Sequence, residues 1–119
     1  MNDKKLLLTG LLGALMASQA GAANYTFTTL DVPGAGATQA NGINDSGQVT
    51  GHYGDSTGWH SFVKNGGTFA TLNVPGAFGT HAYGINNSGY VTGYYDDAKG
   101  YHGFVESGGT FTTLQQFSF

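Results

Sequence analysis

AYGINNSGYVTGYY, Ala82–Tyr95, repeats ANGINDSGQVTGHY, Ala40–Tyr53, and this near-identity decides the fold. The register does not drift: Ile43 and Ile85, Phe62 and Phe104, Leu30 and Leu72, and Leu72 and Leu114 are each 42 residues apart. A constant period of this size marks a supersecondary unit that cannot bury its apolar face alone and stacks on its neighbours. The chain divides into a first repeat over 25–66, a second over 67–108, and a partial third strand with a tail over 109–119.

Working outward from that stretch, each repeat reads as four short antiparallel strands. Gln39–Asn44 and Gln48–Tyr53 form a hairpin through NDSG, and His81–Asn86 and Tyr90–Tyr95 form another through NNSG. Asn and Asp bond their own backbone, and Gly47 and Gly89 suit the left-handed position such loops use. A calcium loop is the competing reading of Asn44, Asp45 and Ser46. It would need several carboxylates at alternating positions, and the second copy has Asn87 in place of Asp45. Turn chemistry is therefore preferred.

Along the second strand, Val49, Gly51 and Tyr53 share a face that recurs as Val91, Gly93 and Tyr95, and this face is read as core, with glycine admitting a neighbouring sheet. The face that varies, Gln48, Thr50, His52 against Tyr90, Thr92, Tyr94, is a candidate ligand surface. A loop follows, YGDSTGWH or YDDAKGYH, leading into a third strand from His60 or His102. The fourth strand is TFATL or TFTTL; TFATL ends at a VPGA turn, where proline lacks the ladder donor, whereas QQFSF follows the second copy in place of that turn. Tyr25–Val32, Thr68–Val74 and Thr110–Leu114 are all expected as such strands.

Four strands in a period of this length predict an all-β protein of tandem four-stranded antiparallel blade-like units, a partial β-propeller. Two blades do not close a ring, since propellers use typically about 4–8. Closure by a homo-oligomer and membership of a longer array are both preferred over two facing sheets in a sandwich, because a strict repeat encodes equal interfaces.

The N-terminus carries Lys4 and Lys5, an apolar run over Leu6–Met16 and the small residues Ala20–Ala23, the pattern of a secretory signal peptide spanning 1–22. Export is expected, to the extracellular space or a periplasm, with no membrane span after processing. Beyond residue 22, two lysines face six carboxylates, a net charge of −4, which disfavours nucleic acid as a partner. The chain holds 21 glycines and no cysteine, so its stability rests on packing and strand pairing without disulfides.

GINDSGQVTGHY with GWHSFV, and GINNSGYVTGYY with GYHGFV, resemble the HAF family of extracellular repeats, in which a G-I-N-x-x-G-x-V-x-G hairpin precedes an H-x-F strand. Gly42, Ile43, Asn44, Gly47, Val49, Gly51, His60 and Phe62 carry the match and recur one period later. The resemblance implies secreted bacterial proteins with tandem copies in a propeller-like arrangement, often associated with PEP-CTERM sorting, and assigns no activity.

No nucleophile–base set can be assembled, no metal or cofactor site is read, and no catalytic residue is nominated. His60 and His102 recur one period apart and are read as structural. The expected ligand site is a shallow surface of Trp59 and Tyr101 beside Asp55, Asp97, His52 and Tyr94, because aromatic faces with carboxylates suit a glycan or another surface polymer. The competing role for Trp59 and Tyr101 is to cap the core between blades. The function expected is a secreted non-catalytic binding module; the alternatives are a structural self-associating repeat protein and a piece of a longer propeller enzyme.

Overall fold

The computed structural model describes residues 24–114; the expected signal peptide and the tail over 115–119 lie outside the described residues. The described chain is all-β. Its strands are β1 Ala37–Ile43, β2 Val49–Asp55, β3 Gly58–Asn65, β4 Thr68–Leu72, β5 Gly79–Ile85, β6 Val91–Asp97, β7 Gly100–Ser107 and β8 Thr110–Leu114. Two antiparallel meanders, β1–β4 and β5–β8, are joined by one parallel bridge between Trp59 and Gly79 into a single open sheet. Among the described residues no helix is long and apolar enough to cross a membrane.

The NDSG and NNSG turns form as the residue types require. Asn44 Oδ1 accepts from the Ser46 and Gln48 amides at 3.1 and 3.0 Å, and Gly47 adopts φ 80°. Asn86 does the same for Ser88 and Tyr90 at 3.0 and 2.9 Å, with Gly89 at φ 84°. The connection between β2 and β3 is tighter than the sequence suggests. Asp55 pairs with Gly58, so what reads as a loop is a short hairpin turn with Gly58 at φ 126°.

The repeated face is the core. Tyr53 and Phe62 cluster with Val32 in the first unit, and Tyr95, Phe104, Val91 and Ala82 with Val74 in the second. Each tyrosine hydroxyl is anchored across the meander, Tyr53 to Thr71 at 2.9 Å and Tyr95 to Thr113 at 2.8 Å. The glycine within this face answers a different need from the one expected. The β1 ladder shifts register between Ala40 and Gly42, and a Cβ on Gly51 would collide with the Gln39 carbonyl oxygen. Gly93 faces His81 in the same way. Each glycine thus accommodates the bulge of the strand beside it, not a neighbouring sheet.

The two units meet through unlike faces. The first offers Thr50, His52 and Ser61, all buried, and the second offers Thr80, Ala82 and Val91 from its core face, also buried. Ser61 Oγ donates to the Thr80 carbonyl at 2.9 Å and accepts from the Ala82 amide at 2.7 Å. Asn41 Nδ2 donates to the Ala82 carbonyl at 2.9 Å, and Asn44 Nδ2 to the Asn86 carbonyl at 3.1 Å. Gly42 permits the approach of β1 to β5, since a Cβ there would sit 3.1 Å from the Tyr83 carbonyl oxygen.

One expected strand is absent from the sheet. Tyr25–Val32 does not join any ladder, and Tyr25 and Phe27 are 78% and 92% exposed. The reason is topological: a TFTTL segment needs a third strand as host, and β3 and β7 already hold β4 and β8.

Candidate functional site

The hairpin joining β2 to β3 and the turn after β4 enclose a shallow cleft of about 280 Å³. Trp59 and Phe78 supply its aromatic walls, and Thr57, His60 and Asn73 its polar groups. Trp59 is 44% exposed and Phe78 66%, so both offer ring surface to solvent. The lower edge of the indole rests on glycine, because a Cβ on Gly54 would lie 3.1 Å from the ring. The opposite wall is placed by the VPGA turn, which Val74 fixes by donating its amide to Thr80 Oγ1 at 3.1 Å while its carbonyl accepts from Ala77 at the same distance.

The polar side of the cleft is a connected set. Asp55 Oδ1 accepts from the Thr57 amide at 2.8 Å and the Thr57 hydroxyl at 2.6 Å, and lies 3.0 Å from His60 Nε2. His60 Nδ1 is 2.9 Å from Asn73 Oδ1. The hydrogen bonds from Thr57, then the imidazole of His60, hold the Asp55 carboxyl below its ordinary value. The second unit repeats the motif: His102 Nε2 is 2.8 Å from Asp97 Oδ1, and this bond, followed by the Lys99 amide, lowers the Asp97 carboxyl. The acidic residues therefore orient the two histidines, of which His60 lines the cleft.

A ribbon of rings runs on from Trp59 across the opposite side of the sheet. His52 meets Trp59 edge-on at 5.4 Å and His81 at 4.9 Å between centroids. Tyr94 stacks on His81 at 4.7 Å and on Tyr83 at 5.9 Å, and turns an edge to Tyr101 at 5.8 Å. Asn41 Nδ2 lies 3.1 Å from His52 Nδ1, an arrangement in which the ring nitrogen accepts. Burial, and then the neighbouring charge of His81, lower the His52 pKa; burial lowers His81 against the opposing pull of Asp96. Burial, and then Tyr83, raise the Tyr94 phenol.

Of the residues expected from sequence, Trp59, His52, Tyr94 and Tyr101 are brought into this one ribbon. His52 is 5% exposed and serves the contact between units, whereas Tyr101 is 72% exposed. Asp55 and Asp97 are not among them; they turn with His60 and His102 to the other side of the strand, as alternation along a strand requires. Sequence reasoning missed Phe78, Asn73, His81 and Tyr83. A signal existed for the last two, since Gln39 and Asn41 of the first repeat become His81 and Tyr83 in the second. Among the described residues no group of three or more His, Asp or Glu side chains is placed to hold a metal ion. No protein-family model, curated protein or solved structure matches the chain.

Proposed function

We propose that the chain is an exported, non-catalytic repeat module that binds a polyhydroxylated surface polymer, with a glycan as its ligand, in the cleft of Trp59 and Phe78. The observation that carries the reading is the pairing of two exposed aromatic walls with Thr57, His60 and Asn73 in one cleft. Sugar rings present apolar C–H patches to aromatic faces and hydroxyls to such polar groups. Tyr101 and Tyr83 extend the ring surface beyond the cleft and suit a polymer better than a single sugar. The two meanders are taken as blades of a propeller that copies of the chain complete, in keeping with the resemblance to HAF repeats and with export.

A glycan array tests this. The unmodified protein should give a discrete set of signals, and Trp59→Ala with Tyr101→Ala should remove them while far-ultraviolet circular dichroism stays unchanged. An array pattern indifferent to both substitutions would remove the site. The second reading, a purely structural self-associating repeat, is favoured by the unpartnered face of the second unit, and predicts oligomers that bind no sugar.

A further inference from the structure

The segment Thr26–Leu30 reads TFTTL, identical to β8, Thr110–Leu114, and differs from β4 only where β4 has Ala70. Among the described residues, three such segments therefore share two hosts, β3 and β7. The turn that follows the surplus copy is already built as it is after β4. Val32 donates its amide to Thr38 Oγ1 at 3.1 Å, as Val74 does to Thr80, and its carbonyl accepts from Ala35 at 3.1 Å, as Val74 does from Ala77. Leu30 and Val32 pack on the first core as Leu72 and Val74 pack on the second. The segment thus leaves its turn on the course that carries β4 to β3, with Phe27 92% exposed where a β3 would lie.

The rest of the molecule carries the complementary surface. Thr50, at 0% exposed, is covered by the second unit, but its counterpart Thr92 is exposed. Conversely, Ala82 is fully buried against the first unit, but its counterpart Ala40 is exposed. One end therefore presents the receiving half of the internal interface and the other end the inserting half. On the receiving end a groove of about 430 Å³ lies along Gly84, Asn86, Thr92 and Val105, the counterparts of residues at the internal contact.

We propose that Thr26–Leu30 is a donor strand for a second copy of the chain, adding to that copy's β7 in place of its β8 as the two copies join head to tail. The sequences are identical, so the exchanged ladder is as good as the one it replaces: Thr29 takes the position from which Thr113 meets Tyr95, and Phe27 that from which Phe111 meets Phe104 at 5.5 Å. The gain is the face-to-face contact that each end lacks alone. Polar pairing continues across the junction with the roles exchanged, because Asn87 of the second copy meets the donor's Asp45 and its side-chain amide can donate to that carboxylate, as Asn87 does within the chain. The joint also places the donor's Asp31 beside His102 of the second copy, as Asn73 stands beside His60, and so builds a second cleft next to the second copy's Tyr101. Contacts of this unlike-face kind close into rings or run on as filaments.

The chain contains no cysteine, so introduced thiols report the exchange directly. Val105 is opposite Thr112 in the β7–β8 ladder, and the exchange sets Thr28 of the other copy opposite Val105. Equal amounts of Thr28→Cys and Val105→Cys protein, oxidised gently without any sugar, should yield a disulfide-linked pair of the two variants. Locking β8 with Val105→Cys and Thr112→Cys in one chain should abolish association measured by light scattering, and so should Phe27→Asp in the cysteine-free protein. A Thr28–Val105 mixture that stays unlinked, or scattering that reports monomers at all concentrations for the unmodified protein, would overturn the proposal. Because these readouts need no ligand, they stand or fall apart from the glycan reading.

Discussion

Asp45 and Asn87 occupy the same position in successive repeats and bond each other in both directions: the Asp45 amide donates to Asn87 Oδ1, and Asn87 Nδ2 donates to Asp45 Oδ2, each at 2.8 Å. The difference between the two copies is thus complementary. A carboxylate can only accept, so an identical aspartate at both positions would set two charges together where a donor is required.

It follows that Asn87→Asp weakens the contact between units, by about 1 kcal/mol for an exposed pair. The midpoint of urea unfolding should fall, and adding Asp45→Asn to the same chain should restore it. A loss that the second change leaves in place would mean the pair does not act as a pair.

Phe62 and Phe104 are both fully buried, one in each core. Replacing either by alanine should cost about 3–5 kcal/mol, whereas Phe27→Ala should change the stability of the isolated chain by less than about 0.5 kcal/mol. Calorimetry on the three variants would separate a core phenylalanine from one without a host strand.

Gly93→Ala should be as damaging as a core truncation although it adds only a methyl group, because the new Cβ meets the carbonyl oxygen of His81, a backbone atom that cannot rotate away. Overpacking costs typically about 1–3 kcal/mol, and collision with backbone puts this position at the upper end. Gly47→Ala should be milder, since nothing lies within 4 Å of a Cβ there and only the positive φ of 80° opposes it.

Stability should fall in acid in two stages. His52 and His81 both titrate below the ordinary imidazole value of 6.5 in the folded chain, so the unfolded chain binds more protons just under that pH. Their contribution is complete above 6.5 and is lost as the pH falls toward the folded values. Asp55 and Asp97, lowered from 3.8, contribute only to a second decline below that pH. His52→Gln with His81→Gln should flatten the first stage of a melting-temperature profile and leave the second. Glutamine at 81 reproduces Gln39 of the first repeat.

The period, the hairpins and the core face were legible in the sequence because each depends on local chemistry: Asn44 bonds its own turn, and Tyr53 and Phe62 alternate to one side. What lay outside its reach depends on how units meet. His52 looks like a surface residue until the second unit covers it. Tyr25–Val32 looks like a strand until the available hosts are counted. The site shared this division. Trp59 and Tyr101 stand out as exposed aromatics in matching positions, but the Phe78 wall comes from the turn after the next strand. The carboxylate of Asp55 is spent on Thr57 and His60.

Trp59 is the chain's single tryptophan and stands in the cleft assigned to the glycan, so its fluorescence reports that site alone. Titration with the sugars that an array selects should change Trp59 emission saturably, and Phe78→Ala should weaken that response at least tenfold with the fold intact. Array-positive sugars that leave Trp59 emission unchanged at saturation would contradict the assignment of the cleft.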